Sequence, residues 1–149
     1  MSAPRSAPGS TDVVTLLGRT RRIAVVGASN KPDRASFGVM RFLLDRGYDV
    51  TPVNPGLAGQ TIHGQRVVAT LADAAPLDMV DVFRRSEAAG AVADEAVRLG
   101  AKSVWMQLGV HDAAAARRAE AAGVSVVMDA CPVIEWRRHG LPAKVAMIS

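Results

Sequence analysis

Between Gly27 and Ser36 the chain gathers a glycine, the hydroxyls of Ser29 and Ser36, and the cations Lys31 and Arg34, with Asn30 and Asp33 among them. Hydroxyls and cations beside a glycine where backbone N–H groups can be approached closely are the donors that an anion needs, and a phosphate above all. A solvated loop in which Lys31, Asp33 and Arg34 compensate one another would have the same composition. Further along, Asn54-Pro55 and Arg84-Arg85 add polar groups that either meet a ligand or face solvent. Asn54 is equally suited to bonding its own turn as an Asx cap before Pro55.

Groups for bond-making chemistry are sparse. His63, His111 and His139 lie far apart without metal-ligand spacing, and Cys131 is the sole cysteine, so no disulfide framework and no metal site is expected. No motif pairs a nucleophile with a base, and the Asp and Glu residues fall mostly on helices, where solvation accounts for them. Cys131 beside Pro132 reads as a small buried hydrophobe, or as a thiol at the ligand edge able to exchange with another thiol. The expectation is binding without catalytic residues.

Those groups need elements to hold them. Ile23 to Val26 is an apolar, partly β-branched run without polar alternation, as in a strand buried on both faces, and it ends at Gly27. Ser36 stands where an N-cap is expected, ahead of a helix carrying Val39 and Leu43, so that helix dipole and orphan N–H groups face the loop. Tyr48 to Gly56 reads as a second strand running into a turn, with Pro52 placing it at an edge. A brief helical turn between Thr70 and Pro76 follows, then a strand Met79–Phe83 and a helix capped by Ser86. A strand Ser103–Met106, a helix over Asp112–Ala122 and a last strand Val124–Met128 complete the pattern. Thr11 to Leu17 reads as a short helix capped by Thr11, and the segment from Glu135 is left unassigned. Gly47, Gly100 and Gly123 each end a helix just before an apolar strand, the alternation of βαβ units. The fold class is therefore α/β, a Rossmann-like parallel sheet of about five strands with helices on both faces. Its ligand belongs at the carboxyl ends of the strands.

The 149 residues, 49% of them hydrophobic, suffice for one domain with a real core. A net charge of +4 would suit an acidic partner, yet the basic residues are scattered and aromatics make up 4%, which argues against nucleic acid. No apolar run approaches the roughly 20 residues of a membrane span. Met1 to Ser10 lacks an apolar h-region and reads as a flexible tail, so a cytoplasmic protein is expected. A dinucleotide is disfavoured as ligand. Ala-Ser-Asn-Lys-Pro follows Gly27 in place of spaced glycines, and the second strand ends in Asn54 where an acidic residue would grip a ribose diol. A P-loop is excluded by the absence of any Gly-Lys-Ser/Thr triplet.

Five stretches together resemble a family: Val25-Val26-Gly27-Ala28-Ser29, Val53-Asn54-Pro55, Asp81-Val82-Phe83-Arg84-Arg85-Ser86, Val104-Trp105-Met106-Gln107-Leu108-Gly109 and Val127-Met128-Asp129. In this order they are similar to the small stand-alone CoA-binding proteins, and through them to the N-terminal CoA-binding domain of the succinyl-CoA synthetase α subunit. The resemblance implies a CoA-binding domain over residues 11–140, between a tail at 1–10 and another at 141–149. It implies that Gly27, Ala28 and Ser29, with the segment Arg34, Ser36, Phe37 and Gly38, hold CoA phosphates. Asn54 and Pro55 would line the nucleotide, and Phe83 with Arg84, and Met106 with Gln107, would border the cofactor further along. Leu57 stands where the synthetase carries a lysine, leaving that phosphate contact to Lys31 or Arg34. The synthetase's second domain, with its phosphorylated histidine, has no counterpart, and neither His111 nor His139 matches it. The function expected is binding of CoA or an acyl-CoA without catalysis. A nicotinamide oxidoreductase, an acyl-CoA hydrolase using Cys131, and a ligand-free interaction module are the alternatives.

Overall fold

Five short runs, β-branched or apolar for the most part, form the centre of the molecule: β1 (Arg22–Val26), β2 (Asp49–Val53), β5 (Met79–Val82), β6 (Ser103–Met106) and β7 (Ser125–Val127). In this computed structural model, which describes residues 10–143, they pair in parallel in the order β2-β1-β5-β6-β7. The expected tails at 1–9 and 144–149 lie outside the described residues. Ser10, read as part of the first tail, instead opens helix α1 (Ser10–Arg19), so Thr11 lies within that helix rather than before it. The remaining helices are α2 (Ala35–Asp45), α3 (Ser86–Arg98), α4 (Ala113–Ala121) and α5 (Pro132–His139). A small antiparallel hairpin, β3 (Thr61–Ile62) with β4 (Gln65–Arg66), stands apart from the sheet.

β1, β5 and β6 lie inside the sheet and, past the exposed Arg22, are buried on both faces because helices cover both, with Asp81 and Ser103 as the polar residues among them. One face, carrying Ile23, Val25, Val50, Met79 and Trp105, packs with Leu16 and Leu17 of α1, Met40 and Leu43 of α2 and Trp136 of α5. The other face, carrying Val26, Val53, Val80, Val82 and Met106, packs with alanines: Ala89, Ala93 and Ala96 of α3, Ala115 and Ala119 of α4. Small side chains let α3 and α4 approach the sheet closely. Gly47, Gly100 and Gly123 sit at φ of 96°, 83° and 88°, each turning a helix end toward the next strand.

β2 is the edge strand that Pro52 called for. Asp49 donates its N–H to Arg21, and Val53 accepts from Gly27, so alternate residues face β1. Pro52 and Asn54 face outward, where Val68 donates to the Pro52 carbonyl and accepts from the Asn54 N–H, each at 3.0 Å. The nitrogen that cannot donate is thus on the side with no neighbouring main strand.

Two caps differ from expectation. Arg34, in extended conformation and making no side-chain bond, is the N-cap of α2, and Ser36 is buried inside the first turn. Arg85 likewise precedes α3, of which Ser86 is the first residue. The Ser86 hydroxyl is committed elsewhere, accepting the His111 N–H at 2.9 Å and donating to the Gly109 carbonyl at 3.3 Å. α5 covers the unassigned segment. It is a polar helix held by the buried Trp136, whose ring meets Tyr48 edge-on with centroids 5.8 Å apart.

Candidate functional site

The strand order reverses at β1: β2 lies on one side and the rest of the sheet on the other. Loops leaving β1 and β5 therefore part on opposite faces and open a crevice at their carboxyl ends. Gly27 forms the crest of that crevice. It takes φ of 90°, and a Cβ built there would fall 2.3 Å from the Phe83 carbonyl oxygen and 3.2 Å from Cδ of Arg84. Backbone against backbone is the reason no other residue fits.

Between this crest, the turn after β2, residues 69–71 and the outer face of α3 lies a cleft of about 510 Å³. Gly27, Asn54, Pro55 and Arg84 line it, four of the residues singled out from the sequence. Asn54 does more than line. Its Oδ1 accepts from Gly56 N–H at 2.8 Å and its Nδ2 donates to the Ala28 carbonyl at 2.8 Å, so one amide ties the β1 loop to the β2 turn. Ala28 is buried beneath that clamp.

The cationic loop leads out from Gly27. Ser29 Oγ accepts from the Lys31 N–H at 3.0 Å, which leaves the hydroxyl proton available to a ligand. Lys31 and Arg34 are exposed, as is Arg84, and these three make no ion pair among the described residues. Arg85, by contrast, points away to Glu87, 3.7 Å off. Phe37 turns toward the β3–β4 hairpin, where the His63 ring packs on it at 4.1 Å and His63 Nε2 donates to the Phe37 carbonyl at 2.9 Å. Gly38 is exposed on α2 with open space around it. Phe83 is half-buried against the α1/α2/α5 core.

Residues 21–137 match the family model described as a CoA binding domain. The chain belongs to the CoA-binding domain family. A Bacillus subtilis relative, YneT, is 38% identical over 125 residues, 83% of this chain and 91% of its own length. A solved structure of a Pyrococcus horikoshii protein superposes with a TM-score of 0.82 at 34% identity, covering 93% of this chain and 98% of that one. The dinucleotide-forming acetyl-coenzyme A synthetase 1 of Candidatus Korarchaeum cryptofilum shares the fold, with a TM-score of 0.62 at 24% identity. Against that enzyme this CoA-binding domain aligns over 72% of its own residues and 26% of the larger chain.

The other half of the same edge, after β6 and β7, is closed. Met106 is fully buried and Gln107 is 5% exposed, so neither side chain reaches the cleft. The Gly109 N–H donates to Asp129 Oδ1 at 2.8 Å, and Trp105 Nε1 donates to the Ala130 carbonyl at 2.9 Å. Cys131, 8% exposed, shares a core with Trp105, Val127 and Trp136. On β5, in register with Val25 and Trp105, Asp81 is completely buried and neither carboxyl oxygen has a hydrogen-bond partner among the described residues. Burial pushes its pKa well above the usual carboxylate range.

Sequence reasoning missed the wall that α3 contributes. Ala91, Val92 and Glu95 line the cleft at i, i+1 and i+4, a single helix face. The signal was present: the helix follows a strand end directly, and its side away from Ala89 and Ala96 begins beside Arg84. Among the described residues no group of His, Cys, Asp or Glu is placed to hold a metal ion, and no helix is long and apolar enough to cross a membrane.

Proposed function

We propose that this chain binds coenzyme A or an acyl-CoA in the cleft at the strand-order reversal and does no chemistry on it. The observation that carries this reading is the junction of Gly27 and Arg84, where backbone close enough to exclude any side chain meets a cation that makes no ion pair among the described residues. The cleft is large enough to hold an adenosine, whose phosphates then run along Gly27 to Ser29 toward Lys31 and Arg34 at the α2 N-terminus. A nicotinamide dinucleotide is served less well. At the end of β2 the Asn54 amide is turned onto Ala28 and Gly56, leaving no carboxylate there for a ribose diol.

The reading is tested by calorimetry with CoA, dephospho-CoA and NAD. CoA is expected to bind, NAD not to, and dephospho-CoA to bind more weakly by one charge-assisted contact, about 1.5 to 3 kcal/mol, or tenfold and more in affinity. Arg84→Ala is expected to weaken CoA by a similar amount while leaving the melting temperature unchanged. NAD binding as tightly as CoA would overturn the proposal. Catalysis is tested separately with acetyl-CoA and succinyl-CoA. No thiol release above the uncatalysed rate is expected, and release that vanishes in Cys131→Ala would identify a hydrolase.

A further inference from the structure

The cleft has two unlike ends. Arg84 stands at the crest, just before α3, and Glu95 stands nine residues into the helix from Ser86, about 13 Å along its axis. The rest of the lining is mostly apolar, Val53, Leu71 and Val92 among it, with Asn54 and Thr70 as its other polar side chains. Glu95 is the only carboxylate on the lining. Its Oε1 pairs with Arg98 one turn on, and Oε2 takes no ion pair among the described residues. Its side chain is 34% exposed, so it is neither buried in the core nor fully in solvent.

A ligand matching this layout carries anions at one end, a flat apolar body, and hydrogen-bond donors at the far end. We infer that Glu95 reads the exocyclic amine of the ligand's base and so makes the cleft selective for an aminopurine. An ionised carboxylate only accepts hydrogen bonds. It accepts from a 6-amino group and opposes the lone pairs of a 6-oxo group, and a site built to bond a polar group discriminates against the analogue that lacks it. The inference rests on the CoA reading and assigns within it the residue that selects the base.

The test compares CoA with deamino-CoA, in which hypoxanthine replaces adenine, by calorimetry on the full chain and on Glu95→Gln. The substitution keeps the shape and adds an amide N–H₂ able to donate to the 6-oxo group. The native chain is expected to favour CoA by about tenfold or more, a margin of roughly 1.4 kcal/mol, and Glu95→Gln to narrow or invert that ratio with its melting temperature unchanged. CoA binding with the same ratio in both proteins, or no preference in the native chain, would overturn the inference and leave the CoA reading standing. No binding of CoA at all would overturn both.

Discussion

The carboxyl edge of the sheet is one continuous rim, yet its two halves are built on opposite plans. The half formed by β1, β2 and the start of α3 is open, with Gly27 at its crest and, on its loops, the cations Lys31, Arg34 and Arg84, which make no ion pair among the described residues. The half formed by β6, β7 and the start of α5 is laced shut through Gly109 with Asp129 and Trp105 with Ala130, and Ser86, the first residue of α3, fastens the open half to it through the His111 N–H. The difference follows from topology. Loops diverge only where the strand order reverses, so a crevice opens between β1 and β5, while loops that follow one another in the same direction fall against each other. The same polar residue types serve binding in one half and fastening in the other.

The contrast is sharpest at two glycines. Gly27→Ala places a methyl group against the Phe83 carbonyl and is expected to destabilise the fold by about 3 to 5 kcal/mol, since backbone must move. Gly109→Ala has a similar φ, 82°, but nothing within 4 Å of the new carbon, so only the left-handed conformation is strained, about 1 to 2 kcal/mol. Urea unfolding of both variants gives the comparison. Equal losses would show that crowding at Gly27 does not matter and that the two halves are equally permissive.

The next effect lies at Asp81, on the strand where the halves meet. Its folded pKa stands above the ordinary 3.8, so the folded protein keeps this proton longer than the unfolded chain does. Stability from this group is complete below that value and declines as pH rises toward the folded pKa. Asp81→Asn is expected to remove the declining limb, leaving a variant that melts higher than the native chain at pH 7 and about level with it at pH 3. Parallel pH profiles would mean that the carboxyl is hydrated or paired in solution.

The smallest effect is expected at Ser86→Ala, about 1 kcal/mol from the lost hydrogen bonds to the β6–α4 loop. CoA affinity should stay within about twofold, since neither Ser86 nor the loop it bonds lines the cleft. A collapse of affinity in this variant would break the distinction between the halves.

How much of this was legible follows from the range of each signal. β5, β6 and the helix-ending glycines could be read because buried parallel strands and left-handed turns impose local residue choices, and Pro52 placed β2 at an edge for the same reason. Gly27, Asn54, Pro55 and Arg84 could be found because a strand end is a local feature, and in this fold strand ends face the crevice. The serine caps could not. Arg34 and Arg85 need only extended backbone to start a helix, and what Ser86 bonds is decided by a loop some 23 residues away. Glu95 looked like any solvated helix residue, because the wall it forms exists only once β2 and residues 69–71 stand opposite. α5 lacked a periodic apolar stripe, and Trp136 anchors it through Tyr48, far off in sequence.

The outer margin of β2 has a consequence for the protein in crowded solution. A sheet margin with free amide hydrogens is a template on which another molecule can add a strand, the first step of edge-to-edge polymerisation. Here Val68 already occupies the outward groups of Pro52 and Asn54, and proline supplies no hydrogen to a newcomer. Val68 and Pro52 thus keep neighbouring molecules from joining at that margin.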